Sequence, residues 1–353
     1  MLSAFFSGAL IVLILIWFHT KISEYGTDVS DTIRSLSVLQ AIALLVAALV
    51  IMWLNGMAMK TPLNGITNTQ AFVAQQSSSA ISNVIPGPSG TAARFAILYS
   101  WKVSVEDFTR GTVAVSIWNN VIMISMPGIA FVVLAISGDS EASGQTLVVA
   151  AVIAVLVSIT AIGVVIGGLR SERFARWLGR VTQRLINPPR KLFRRKPIED
   201  LDEACAELRR RTVDVLSERK GRLTAITLSA YWLNGLLLVA CMWLSGVPHA
   251  ELGLLVGLAL YSIGRLSTLV QITPGGVGVV EVAYSAVYLA VVPDQYNAEV
   301  VTGVLLYRLL TYVLPILVGG VTYLAWRIMR SREKKAEAAT AQAAPESAVE
   351  TAT

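Results

Sequence analysis

The sequence predicts an all-α polytopic membrane protein built from inverted repeats, with two re-entrant helical hairpins and about six full spans. Three observations lead there: long apolar runs in a charge-poor chain, a lopsided distribution of positive charge between connecting segments, and a broken, Pro-Gly-rich segment that recurs in each half. Of 353 residues, 54% are hydrophobic types and 15% are charged, and the mean hydropathy is +0.63. A soluble chain of this length carries about 25% charged residues.

The first apolar run, Leu2 to Phe18, lacks a basic leader and a small-residue cleavage site, so it reads as a retained span rather than a signal peptide. Runs follow at 38–59, 111–136, 144–168, 223–244 and 300–326. Each approaches or exceeds the ~20 residues that cross roughly 30 Å of hydrocarbon. Four shorter or more polar segments remain. The arms 66–83 and 91–101 flank Pro86, Gly87, Pro88, Ser89 and Gly90, and 250–271 and 277–292 flank Pro274, Gly275, Gly276, Val277 and Gly278. Such sequences break a helix, and broken backbone at membrane depth persists only where protein or a watery cavity satisfies it. Both pairs are therefore expected to enter and leave from one side, although eight or ten full spans also fit the second pair.

Charge sets the orientation. Between Arg170 and Arg222 there are 16 Lys and Arg against 8 Asp and Glu, including Arg190, Lys191, Arg194, Arg195, Lys196 and the triplet Arg209, Arg210, Arg211. This stretch reads as a basic cytoplasmic loop, 170–222, held against anionic headgroups, and not as a nucleic-acid surface. Alternation then puts 19–37, 137–145, 245–251 and 293–299 outside, with 2 basic and 8 acidic residues, against 24 basic residues on cytoplasmic segments. The positive-inside rule gives both termini to the cytoplasm. Residues 331–353, Ala-rich, are expected to form a disordered tail.

The repeat is the sharpest signal. Trp53, Leu54, Asn55, Gly56 recur as Trp232, Leu233, Asn234, Gly235. Pro86, Gly87, Gly90 recur as Pro274, Gly275, Gly278 at an offset of 188, at which Pro127 also falls on Pro315 and Asn120 on Arg308. The units are 38–136 and 223–326. Under the charge-derived topology they run in opposite senses, the arrangement of transporters with broken helices meeting near the midplane.

Few charged residues lie inside the apolar segments: Arg94, Arg265, Glu281 and Arg308. Each costs roughly 2.5–3.5 kcal/mol near a span centre, so each is expected to face a cavity or a partner. Arg94 and Glu281 follow the two Pro-Gly breaks closely, where helix N-termini offer free N–H groups and a positive end. An anionic phosphate fits there, with Arg94, Arg265 or Arg308 supplying a fork. Glu281 has three readings: an ion pair with Arg308 or Arg265, a substrate contact, or a proton carrier. Gln75, Gln76, Ser77, Ser78, Ser79 and Ser82 make a polar stripe, either interhelical glue or a headgroup path. The same pair of readings holds for Asn119, Asn120, Gln271, Thr273 and Tyr307. Pro86, Gly87, Gly90, Pro274, Gly275, Gly276 and Gly278 are read as structural turns.

Catalytic and cofactor patterns are absent from the sequence: no GxSxG, HExxH, DFG or Walker motif occurs. Cys205 and Cys241 form no CxxC pair, and His19 and His249 sit at span ends, so no metal site and no catalytic residue is expected.

The segments VIPGPSGTAARFAIL, ITPGGVGVVEVAY and LLYRLLTYVLPILVGG resemble the flippase-like transmembrane region of lysylphosphatidylglycerol synthases and their stand-alone relatives, over roughly residues 5 to 330. The resemblance implies a bacterial or archaeal inner-membrane protein without the aminoacyl-transferase domain, with re-entrant hairpins beside a lipid-sized cavity. Glu281 and Arg308 fall on the family's polar positions, and Arg94 on the arginine after the first turn. The expected activity is translocation of an anionic, aminoacylated or polyprenyl-linked lipid between leaflets. The alternatives are a subunit partnering a lipid synthase or glycosyltransferase, a small-solute secondary transporter, and a membrane enzyme. The partners implied are a membrane lipid, a lipid-modifying enzyme or a second copy of the chain.

Overall fold

A computed structural model describes residues 29–85, 87–137, 145–192, 200–269 and 273–343. The predicted span Leu2 to Phe18, and Pro86, Gln271, Arg194, Arg195 and Lys196, lie outside the described residues. Regular structure among the described residues is helical throughout.

α1 (Val38–Lys60) and α2 (Asn68–Val84) each begin with a capping box. Gln40 N donates to Ser37 Oγ at 3.3 Å and Ser37 N to Gln40 Oε1 at 2.9 Å; Thr67 and Gln70 repeat the exchange at 3.2 and 2.9 Å. Each box satisfies two otherwise orphaned donors at a helix start. After α2, Gly87 adopts φ +88° and the chain reverses into α3 (Ser89–Ser100). α4 (Val105–Ser137) carries Pro127 inside it. The helix tolerates the break because Ser158 of α5 (Gln145–Arg170) inserts its hydroxyl: Gly128 N donates to Ser158 Oγ at 3.1 Å, and Ser158 Oγ donates to Ala154 O at 2.7 Å.

The basic loop is not irregular. It holds α6 (Glu172–Leu192) and the first half of the 44-residue α7 (Leu201–Leu244), which runs without a break into the predicted span 223–244. At ~1.5 Å per residue α7 is roughly 66 Å long. Arg219 ties its lower part to the α1–α2 connection, donating from Nη1 to Thr61 O at 2.8 Å and from Nη2 to Asn64 Oδ1 at 2.6 Å. α8 (Leu254–Arg265) and α9 (Val279–Leu289) form the second hairpin around Thr273–Gly278, where Gly275, Gly276 and Gly278 all have positive φ.

α10 (Asn297–Arg308) continues through a π-helical turn, Leu309–Val313, into α11 (Leu314–Ala343). Pro315 has no N–H to give Thr311 O, and its ring crowds that carbonyl; the wider π turn falls on the residues just before it. α11 runs on to Ala343, through the first part of the segment expected to be disordered. Its Ala, Glu and Lys are strong helix formers.

Four helical stretches among the described residues are long and apolar enough to cross a membrane: Val38–Lys60, Val105–Ile136, Arg219–Leu244 and Asp294–Glu333. Val152–Gly168 and Leu254–Leu269 are shorter apolar helices. α3, α8 and α9, of 12, 12 and 11 residues, are roughly 16–18 Å long, little more than half of ~30 Å. Apolar side chains on α1, α5 and α11, among them Leu39, Leu156 and Val321, are exposed as a lipid-facing surface would be.

The same element order, a long helix, a short pair around a Pro-Gly turn and a second long helix, occurs over 38–137 and again over 223–326. The repeated glycines hold equivalent close approaches. A Cβ on Gly56 would lie 3.1 Å from the Phe72 backbone in the first hairpin, and one on Gly235 would lie 2.9 Å from Leu258 and Tyr261 in the second. The closing helices are exchanged between halves: α11 packs on α2, and α4 packs on α8. Neither half therefore covers its own hairpin alone.

Candidate functional site: a cationic cavity beside the second hairpin

The two hairpin tips meet. Tyr312 of the π turn donates its hydroxyl to Asn83 O at 3.0 Å, and Gly275 lies against both Tyr312 and Asn83. Beside this junction is a cavity of about 180 Å3, lined from both halves by Asn55, Gln76, Asn83, Asn234, Arg265, Tyr284, Tyr307 and Arg308 together with apolar groups.

Arg308 and Glu281 fix one wall. Arg308 Nε donates to Glu281 Oε1 at 2.5 Å, Arg308 Nη2 donates to Gly275 O at 3.0 Å, and the guanidinium lies 4.7 Å over the Tyr312 ring. Glu281, 2% exposed, also accepts from Gly278 N at 2.6 Å. The carboxylate thus occupies the N-terminus of α9, the place a bound phosphate would take. Of the three readings for Glu281, the geometry is that of the ion pair.

Arg265 is different. It lines the cavity, and no carboxylate or hydrogen-bond acceptor partners its guanidinium among the described residues. Around it, Tyr231, Tyr261, Tyr284 and Tyr307 form a chain of ring contacts at 5.2, 5.8 and 5.8 Å. The hydroxyls of Tyr231, Tyr261 and Tyr284 are all buried, that of Tyr261 without a hydrogen-bond partner, and of the three only Tyr284 lines the cavity. Tyr307 instead donates to Asn234 Oδ1 at 3.2 Å, and Asn234 Nδ2 donates to Ala230 O at 2.8 Å. Arg265 and Arg308 both line the cavity, and only Arg308 is paired, with Glu281 outside the lining.

The remaining predicted residues divide. Gln76 lines the cavity but donates to Met52 O at 2.8 Å, linking α2 to α1 as glue. Gln75 donates to Ser79 Oγ on its own helix at 3.3 Å and does not line the cavity. Asn120, like Asn119, is exposed on α4 and is not part of the lining. Arg94 lies apart: its Nη2 donates to Ser78 Oγ at 3.0 Å, its Nη1 is 3.5 Å from Met59 Sδ, and its Nε is buried without a partner. Ser78 Oγ in turn donates to Gly90 O at 2.8 Å, closing the first hairpin. Among the described residues no group of three His, Cys, Asp or Glu side chains could hold a metal.

Sequence reasoning missed Asn83, Tyr231, Tyr261 and Tyr284, while Tyr307, which it named, lines the cavity. A signal was present: seven of the 10 tyrosines, 231, 261, 284, 288, 307, 312 and 323, fall in the α-helices and π turn of the second half.

Taken together these features define a helical membrane protein with a buried, cationic polar cavity. Residues 5–319 match the family described as lysylphosphatidylglycerol synthase TM region, and the chain belongs to that family. The family is defined on the membrane region of such synthases, separate from their catalytic domain, and it ties the chain to a lipid-related function in the membrane. No curated protein sequence matches the chain significantly.

Proposed function

We propose that the protein moves an anionic, aminoacylated or polyprenyl-linked lipid between bilayer leaflets, holding its headgroup in the Arg265 cavity. The observation that carries this reading is the Arg265 guanidinium, which lines the cavity with no acidic or hydrogen-bonding partner among the described residues. A buried polar group left without a partner costs about 1–3 kcal/mol, more when charged, and an anionic oxygen in the cavity would accept from the Arg265 guanidinium.

In this account α2–α3 and α8–α9 are the re-entrant hairpins, 38–136 and 223–326 are inverted units, and both termini are cytoplasmic in a bacterial or archaeal inner membrane. Rocking one unit against the other would expose the cavity to each side in turn. A volume of about 180 Å3 equals roughly six waters at ~30 Å3 each. It suits a headgroup, with the acyl chains left in the bilayer. The same small volume favours a second reading, transport of a small anionic solute.

Binding separates the two. Purified protein in detergent should bind dihexanoyl phosphatidylglycerol in preference to dihexanoyl phosphatidylcholine, and Arg265→Gln should weaken the anionic lipid about tenfold or more, the effect of losing one charge-assisted hydrogen-bonding group. Equal affinity for the two lipids, or an unchanged affinity in the variant, would contradict the assignment. Glycerol 3-phosphate binding as tightly as the lipid would favour the small-solute reading.

A further inference from the structure

The basic helix α6 has two unlike faces. One packs on α7: Ala175 is 4% exposed, and a Cβ on Gly179 would lie 2.5 Å from the Asp202 backbone. Arginines toward this side are paired. Arg176 meets Glu172 at 2.8 Å and Glu203 at 3.5 Å, and Arg210 of α7 meets Glu207, Glu203 and Glu172 at 2.9, 3.1 and 3.4 Å.

The other face carries Arg173, Trp177, Arg180 and Arg184, all exposed. At 100° per residue these four lie within about 60° of the helix circumference. None of the three arginines has an acidic partner among the described residues. Arg180 and Arg184 also line a shallow pocket of about 510 Å3 with Gln183, Asn187 and Pro188.

The position of this face is set by the chain. A single residue, Ser171, separates α6 from α5, whose apolar stretch ends at Gly168. Phe174 folds back against Gly167, 3.1 Å from where its Cβ would be. The first turn of α6 therefore lies about where hydrocarbon gives way to headgroups, the depth at which Trp and Arg are favoured.

We propose that the Arg173–Trp177–Arg180–Arg184 face of α6 docks on anionic phospholipid headgroups of the leaflet in which α5 ends. The site is separate from the cavity and does not depend on what the cavity binds. Positive charge supplies the attraction, the unpaired state of the three guanidiniums leaves their donors available to phosphate, and Trp177 provides the interfacial anchor. Each arginine contributes about a fivefold preference for an anionic surface.

The test uses the full chain in nanodiscs, with Cys205 and Cys241 replaced by Ser and an NBD fluorophore on Pro188→Cys, exposed one turn beyond Arg184. NBD emission should shift to the blue in discs containing phosphatidylglycerol relative to phosphatidylcholine alone, and the shift should shrink in high salt. Replacing all three arginines by Gln should abolish it, while replacing all three by Lys should keep it and so separate lost charge from lost folding. Identical emission in both lipids, or a shift that survives the triple Gln change, would overturn the proposal. A face that stays water-exposed in anionic discs and is covered only when an acidic protein is added would overturn it too.

Discussion

Glu281→Ala is expected to destabilise the protein by about 3–5 kcal/mol, because it strands the Arg308 guanidinium in a low-dielectric interior. Arg308 would keep only Gly275 O as an acceptor, and Gly278 N–H at the start of α9 would lose its partner as well. Arg308→Ala should cost a comparable amount by leaving the Glu281 carboxylate, 2% exposed, without its countercharge. Replacing both together by apolar residues of similar volume should recover most of the loss, since a buried ion pair and a packed apolar pair are often close in stability. Thermal unfolding in detergent of the two single variants and the double variant checks this. A double variant as unstable as the sum of the singles would mean that each side chain holds its hairpin through other contacts.

Gly319→Ala is expected to damage the fold, and Gly320→Ala to be a harmless neighbour. A Cβ on Gly319 would lie 2.2 Å from Gln76 O and 2.6 Å from Ala80 Cβ, whereas nothing lies within 4 Å of one on Gly320. Backbone cannot move aside as a flexible side chain can, so α11 would have to lift off α2. Overpacking of this kind costs about 1–3 kcal/mol, and it would also disturb the Gln76 bond to Met52 O. At Gly320 the change gains up to ~1 kcal/mol of helix propensity. Thermal unfolding of the paired variants should move in opposite directions. Equal shifts would mean that α11 does not press on the first hairpin as described.

Most of the helices were legible because apolar runs and Pro-Gly breaks are local signals. Trp53–Gly56 and Trp232–Gly235 pointed to a repeat, and the close approaches of Gly56 and Gly235 show what the shared glycine does in each half. What the repeat could not give is which face of a helix a residue occupies. Asn120 aligns with Arg308, yet Asn120 is exposed and Arg308 is buried against Glu281. Asn55 is exposed toward the cavity, while Asn234 is 8% exposed and bonded to Tyr307. The exchange of α4 and α11 between halves was also out of reach, since it depends on contacts between residues about 130–240 positions apart in the chain.

The polar groups followed the same logic. Arg308 and Glu281 came together because a buried charge needs a countercharge. Arg94 met hydroxyl and thioether groups instead, on a different part of the first hairpin, which no spacing rule foretold. The basic segment 170–222 was read as a loop from its charge. Its helices arise from apolar residues spaced between those charges, such as Ala175 and Ala206 facing each other's helix, and from ion pairs along α6 and α7.

The central claim, that the Arg265 cavity carries a lipid headgroup across the bilayer, is tested most directly by leaflet-resolved transport. Wild-type protein and Arg265→Gln would be reconstituted in liposomes carrying labelled anionic, aminoacylated or polyprenyl lipids, and the label reached from outside followed over time. The account predicts protein-dependent movement of one of these lipids, reduced about tenfold or more in a folded Arg265→Gln variant. Movement at the same rate in the variant, or none across the panel with folded and correctly inserted protein, would contradict it.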